Sequence, residues 1–436
     1  MANYISKRGA NVAPSYATTD DLPASTEVGD LVFVGGQLGI AVSASGYQTC
    51  DKTDIVFPDD WTATTQQAKV QASDAAANDY FGSSVGIDGD TMLAGAKAKN
   101  SDAGAAYVFT RSGTSWSQQA KLVGSDIVAY DTFGFDVAID GDTAVISARG
   151  QVQGTYKGAA YVFTRSGTSW SQQAKILSSD LAAGDYFGEC VAIDGDTIVV
   201  GTVSEGIGGS IYVFTRSGTT WSQQAKLESS DIAAGDGFGK DVAIDGDTLV
   251  VGAFKEDTGG GSVGSAYVFT RSGTSWSQQA KIQHSNRSVG DWFGITVAID
   301  GDTIAAGAWQ EDTGASGAGS VYVFTRSGTS WSQQAQIQGS SMSQNDNFGY
   351  DIAIDGDTLA VGSRYEDTGG TDAGAVYIFT RSGTSWTEAK KIQSSDVAAN
   401  DQIHRVAIDG NTVVAGVEYQ DTGGTQTGAA YTFVAG

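Results

Sequence analysis

The chain is short of almost everything that builds long helices, disulfide frameworks or membrane spans. Its 436 residues include only 3 Pro, 3 Met, 2 Cys and 2 His. Cys50 and Cys190 lie in different regions and allow at most one pair, so no disulfide scaffold is expected. His284 and His404 stand alone, outside any His-Glu-x-x-His or Cys/His zinc spacing. No apolar run approaches the ~18 residues of a spanning helix. Basic residues are scarce: 25 Lys and Arg face 50 Asp and Glu, a net charge of −25, and they form no patch. Such a surface repels phosphate backbones, so neither a nucleic-acid partner nor membrane insertion is expected. The opening Met-Ala-Asn-Tyr-Ile-Ser-Lys-Arg shows no apolar core of a secretory leader.

What is abundant is glycine, 59 residues, roughly double its usual share, and it recurs in register. Ile-Asp-Gly-Asp-Thr starts at Ile87, Ile139, Ile193, Ile244, Ile299 and Ile354, and Ile-Asp-Gly-Asn-Thr at Ile408. The first and seventh copies are 321 residues apart, a period of about 53.5. Each copy leads to a short apolar run, a Gly-rich loop, and then a near-verbatim Ala-Tyr-Val-Phe-Thr-Arg-Ser-Gly-Thr-Ser-Trp-Ser-Gln-Gln-Ala-Lys. Its tryptophans are Trp116, Trp170, Trp221, Trp276, Trp331 and Trp386.

Each unit reads as four short strands. Asp-Gly is a two-residue hairpin signal between strands one and two, and Ser-Gly turns strand three into strand four. Four strands every ~50 residues is the sequence pattern of a propeller blade. The last unit stops after its third strand, Ala430-Tyr431-Thr432-Phe433, while a lone fourth strand, Thr65 to Val70, precedes the first unit. Joining the two closes an all-β ring of seven blades and leaves no sheet edge open. Trp61 fits this scheme imperfectly, three residues further from its Gln-Gln than the other tryptophans. The expected division is a propeller at 59–436 and an N-terminal attachment segment at 1–58. A hairpin is expected there, from Gly29-Asp30-Leu31-Val32-Phe33-Val34 and a second strand near Gly39 to Val42.

The units resemble the FG-GAP repeat of integrin alpha-subunit propellers and of many bacterial and viral proteins. Phe-Gly stands at Phe81, Phe133, Phe187, Phe238, Phe293 and Phe348, and Gly-Ala at Gly95, Gly252 and Gly307. The seventh copy departs, with Gln402-Ile403-His404 in place of Phe-Gly. The resemblance implies a seven-bladed propeller used for binding, in adhesion or receptor recognition. Residues 1–58, with Asp21-Leu22-Pro23-Ala24-Ser25 and the hairpin, are similar to short N-terminal segments of marine bacteriophage tail and fibre proteins. That similarity implies a virion component, with the N-terminal segment docking to other virion proteins and the propeller meeting a host cell-surface protein or glycan. A bacterial surface adhesin, a structural virion decoration and a glycan-processing enzyme are the alternatives.

Several residue sets are candidates for function. Positions identical in every blade serve the blade itself, including an Arg expected to pair with the hairpin Asp. The loops between strands two and three differ most, and they share a rim with the blade-to-blade linkers. Rigidly held variable loops are where ligands bind, and aromatic faces with polar neighbours suit sugars or proteins. Phe254, Trp292, Trp309, Arg364, Tyr365 and Tyr419 form this expected ligand rim, with Arg149 to Gln153 in the second blade's loop.

In integrin-like propellers calcium sits in the turn between strands one and two. Here that turn is only Asp-Gly-Asp, too few carboxylates for a six-to-eight-oxygen cage. Calcium is the one possible cofactor, and its candidate ligands are Asp257, Asp312, Asp367 and Asp421, of the Glu-Asp-Thr-Gly motif and its seventh-blade near-copy. Asp79, Asp131, Asp185, Asp236, Asp291, Asp346 and Asp401 precede the Phe-Gly positions and read as caps of backbone amides. Asp136, Asp241, Asp351 and Glu189 fall where they could approach a central channel. Glycoside hydrolysis needs two carboxylates ~5–10 Å apart, which a sequence does not show, and no catalytic residue is assigned.

Overall fold

The computed structural model describes the backbone of residues 31–34, 37–43 and 46–49, and residues 60–150, 156–180, 182–257, 261–421 and 424–436. The Asp21–Ser25 stretch and loop residues 151–153 lie outside the described residues. The chain divides into two units, Met1–Asp60 and Trp61–Gly436. In the first, Leu31–Val34 pairs antiparallel with Gln37–Ser43, as the hairpin reading expects. A third strand, Gly46–Thr49, extends it to a three-stranded meander.

In the second unit, seven four-stranded antiparallel sheets follow one another. The first runs Phe81–Asp88, Thr91–Ala96, Ala105–Ser112 and Ser115–Leu122. The seventh takes three strands from the C-terminus, and Thr65–Val70 pairs with Ala429–Val434 as its fourth. The ring closes as the sequence pattern requires.

Aromatics pack the blade interiors and small residues fit between the blades. The Phe-Gly phenylalanines are fully buried, each edge-on to the Tyr and Phe of its own third strand, as Phe133 is to Tyr161 and Phe163. Burying such a ring is worth about 1.5–3 kcal/mol. The glycine beside it allows close approach: Gly134 has φ +86°, and a Cβ there would stand 2.3 Å from the Ala105 carbonyl oxygen of the preceding blade. In the seventh blade Ile403 takes the Phe place with 1% exposure, and its inner strand shortens to Arg405–Asp409.

The verbatim polar residues tie blade to blade. Each Trp Nε1 donates to a Gln of the preceding blade at 2.7–2.9 Å, from Trp116–Gln67 round to Trp386–Gln334. The other Gln, replaced by Glu388 in the sixth blade, accepts from a linker serine amide in all seven. On the hairpin face, the first Asp of each Asp-Gly-Asp or Asp-Gly-Asn turn accepts from the turn glycine N–H of the next blade, in an unbroken ring of seven. The second Asp holds the expected Arg at 2.6–2.7 Å in six blades. That Arg also donates Nη1 to a Thr of the preceding blade at 2.7–3.0 Å.

Trp61 has a local explanation. It lies in a 3-10 turn, Trp61–Ala63, with 2% exposure and no partner for its Nε1. The sixth blade carries Ala389 where the other blades offer the second Gln. With no acceptor to reach, the indole packs against the apolar cluster that includes Ala389.

Candidate functional site

The rim opposite the hairpins forms where each linker meets the preceding blade's loop. The amide at every Phe-Gly position donates to that loop, as Phe293 does to Val263 O and Phe348 to Ala318 O. Inside this rim the inner strands descend around the axis. Val85, Val137, Val191, Val242, Val297, Ile352 and Val406 make a ring of branched side chains around the channel. Immediately before them, nearer the rim, stand Ser84, Asp136, Cys190, Asp241, Thr296, Asp351 and Arg405. Carboxylates thus occupy alternate blades, and together these residues line a cavity of 260 Å³.

The three channel aspartates share one electrostatic situation. Each accepts an amide N–H from the following blade: Asp136 from Val191, Asp241 from Val297, Asp351 from Val406. Burial raises all three above the usual carboxylate range. Asp241 is pushed up to about 7, with Asp351 and Asp136 adding repulsion. Asp351 reaches about 6, restrained by the positive charge of Arg405. Glu189 plays a different part, clamped between Arg149 at 2.7 Å and Lys240 at 2.6 Å.

Above the channel the six rim residues join one chain of contacts. Phe254 meets Trp292 edge-on at 5.7 Å, Trp292 meets Trp309 at 6.0 Å, and Trp309 lies over Tyr350 at 4.2 Å. The Arg364 guanidinium then covers Tyr350, Tyr365 and Tyr419 at 4.8, 5.2 and 5.7 Å. Tyr419 meets Tyr80 at 5.5 Å. Arg364 is fixed by hydrogen bonds to Gln402 and the Tyr350 hydroxyl, and Glu418 receives Lys97. A second group sits on the far side, where Arg149 covers Phe135 and Tyr186 at 5.0 and 4.7 Å.

One backbone feature marks the rim. The residue before each Phe-Gly position is left-handed: Tyr80, Thr132, Tyr186, Gly237, Trp292, Asn347 and Gln402 all have φ between 53° and 68°. A side chain there costs about 1–2 kcal/mol relative to glycine. Only the fourth blade uses glycine, and there the Phe254 ring fills the space, 2.6 Å from where a Cβ would lie.

A family model described as the FG-GAP repeat matches seven stretches: 64–109, 116–163, 170–214, 221–269, 276–324, 331–379 and 386–433. Together they cover well over half of the chain. The chain belongs to the FG-GAP repeat family. A search of curated proteins found no match. Each FG-GAP unit runs from the fourth strand of one blade to the third strand of the next, so the sequence repeat itself straddles a blade boundary. Closure by Thr65–Val70 is therefore the ordinary behaviour of an FG-GAP unit, not an added device.

The calcium expected of integrin-like FG-GAP turns does not fit the Asp-Gly-Asp turns. One carboxylate is committed to the next blade's glycine amide and the other to Arg. The Glu-Asp-Thr-Gly candidates stand one per blade. Asp312, Asp367 and Asp421 each accept an amide five residues on, from Gly317, Asp372 and Gln426, and Asp257 is exposed. Among the described residues no three His, Cys, Asp or Glu side chains converge on a common point. The aspartates before Phe-Gly cap amides in all seven blades, as Asp291 caps Ser288.

Sequence reading missed Tyr350, Tyr80, Phe135 and Arg405. For Tyr350, Phe135 and Arg405 the signal is the inner strand itself, where the two residues before the channel valine or isoleucine vary between blades: Ser83-Ser84, Phe135-Asp136, Glu189-Cys190, Lys240-Asp241, Ile295-Thr296, Tyr350-Asp351 and His404-Arg405. For Tyr80 it is the variable position before Phe-Gly.

Proposed function

We propose that this FG-GAP propeller is a non-enzymatic binding module that recognises a cell-surface ligand through the channel-mouth rim. The observation that carries this reading is the continuous arc Phe254–Trp292–Trp309–Tyr350–Arg364–Tyr419. It is assembled from the positions that differ between otherwise near-verbatim blades. Large side chains are kept at left-handed positions where glycine is easier, which suits display better than packing. The similarity of residues 1–58 to phage tail and fibre segments supports a virion component attaching to its host, with a bacterial surface adhesin as the other setting.

The test is adsorption of the purified full-length chain to intact bacterial cells, with calcium and with a chelator. Saturable binding by wild type, and loss of it in a folded Trp309→Ala/Tyr365→Ala/Tyr419→Ala variant, is the expected result. Unchanged adsorption by the folded triple variant would refute the rim. Loss in chelator would return a metal role to Asp312, Asp367 and Asp421.

A further inference from the structure

Three side chains at the channel mouth each carry a nitrogen with no hydrogen-bond partner. The Arg405 side chain makes no hydrogen bond or ion pair among the described residues, its guanidinium lies 5.6 Å over the Tyr350 ring, and its Nε is enclosed. The Trp309 Nε1 is likewise enclosed and unpartnered, and Trp309 lines the same cavity. His404 is wholly buried beside Tyr350 at 4.7 Å, with Nδ1 at the Gln402 carbonyl and Nε2 unbonded. Unmade hydrogen bonds of this kind are costly in a folded protein unless something completes them. Other such atoms, Trp61 Nε1, Ser229 Oγ and Ser394 Oγ among them, lie elsewhere in the ring, but here the three side chains surround one ring, that of Tyr350.

The chemistry of the lining narrows what this mouth can hold. The Arg405 and Trp309 side chains line a cavity that also presents Asp136, Asp241 and Asp351 as acceptors. An anion entering it meets three carboxylates, and a cation meets the guanidinium. A neutral group that donates and accepts at several adjacent positions satisfies both sets, which describes the hydroxyls of a sugar ring. The flat faces of Trp309 and Tyr350 supply the apolar wall such a ring stacks on. At 260 Å³ the cavity falls just below the ~300–1,000 Å³ of drug-sized sites, room for one ring and not an oligomer.

We propose that the channel mouth is a pocket for the single terminal residue of a neutral glycan, held between Arg405, Trp309 and the three channel aspartates. This rests on the rim being a ligand surface and names the ligand class.

The experiment is saturation-transfer NMR on the full-length chain with free glucose, galactose, mannose and fucose, and with glucuronate and glucosamine as charged controls. Transfer to at least one neutral sugar and to neither charged one is expected. Arg405→Gln removes the guanidinium and should weaken that binding ~5–10-fold, the worth of one hydrogen bond. Trp309→Leu, which removes the flat aromatic face, is the second variant, read the same way should Arg405→Gln fail to fold. Transfer only to charged sugars, or to none, overturns the pocket. If adsorption to cells still depends on Trp309, Tyr365 and Tyr419 when no sugar binds, the pocket falls and the rim stands. If that dependence is also absent, the rim reading falls with it.

Discussion

Removing the charge of Asp241 should flatten the pH dependence of the protein's stability. Asp241 stands in the channel wall with Asp351, Asp136, Cys190, Lys240 and Arg405 among its lining neighbours. Burial is the largest cause of its raised pKa of about 7. The amides of Val297 and Val242 pull the other way, and Asp351 and Asp136 push up again. An unfolded aspartate titrates near ~3.9. Between those values the folded chain holds a proton that the unfolded chain has released. The folded state therefore binds more protons, and stability falls as pH rises from about 4 to 7. At 1.36 kcal/mol per pKa unit the full penalty is about 4 kcal/mol, of which roughly 2–3 kcal/mol develops between pH 5 and 8. Asp241→Asn carries no such penalty. Its amide offers one oxygen to the two N–H groups that the carboxylate serves, a fixed loss that does not vary with pH. Urea denaturation of both proteins across this range reads the difference directly. The wild type should lose stability relative to the variant as pH rises. Curves that stay parallel would refute the argument, whatever their separation.

Two further predictions concern the seams. The seventh blade lacks the latch, with Ala435 and Asn411 where the others have Arg and Asp, and Thr358 receives no arginine. Ala435→Arg with Asn411→Asp should raise stability in urea denaturation by about 1–2 kcal/mol, and a double-mutant cycle with zero coupling would show the latch to be ornamental. Gly134 and Gly141 both have positive φ, +86° and +55°, but only Gly134 would drive a Cβ into a neighbouring carbonyl. Gly134→Ala should cost roughly 3 kcal/mol or more and Gly141→Ala about 1 kcal/mol. Equal losses would mean that close approach between blades is not what the Phe-Gly glycine provides.

The fold was legible because every blade solves the same problem with the same residues. A period-two apolar pattern and an Asp-Gly turn repeat seven times and a Ser-Gly turn six times, and the stray Thr65–Val70 strand has one vacancy to fill. The capping role of the aspartates before Phe-Gly was legible for the same reason: a feature present in all blades answers a need that all blades have. The N-terminal unit offered no repeat to compare against, and its third strand, Gly46–Thr49, was not foreseen. Asp136, Asp241 and Asp351 were legible as channel residues from strand position alone. That Glu189 is neutralised by Arg149 and Lys240, three side chains from three blades, was not.

Contacts between blades depend on the twist of each sheet and its distance from the axis, and neither leaves a mark in one blade's sequence. The rim shows this limit. Loop variability pointed to Trp309, Arg364 and Tyr419, yet what connects them is Tyr350, an inner-strand residue beneath the loops. The same comparison between copies works in reverse at the latch. Six blades keep Asp with Arg, and the one blade with Ala435 in place of Arg carries Asn411 in place of Asp. A carboxylate kept for solubility or turn formation has no reason to disappear with its partner. One kept to hold a guanidinium does, because without that guanidinium its charge repels the acidic surface around it. Within this chain, each blade is the control experiment for the other six.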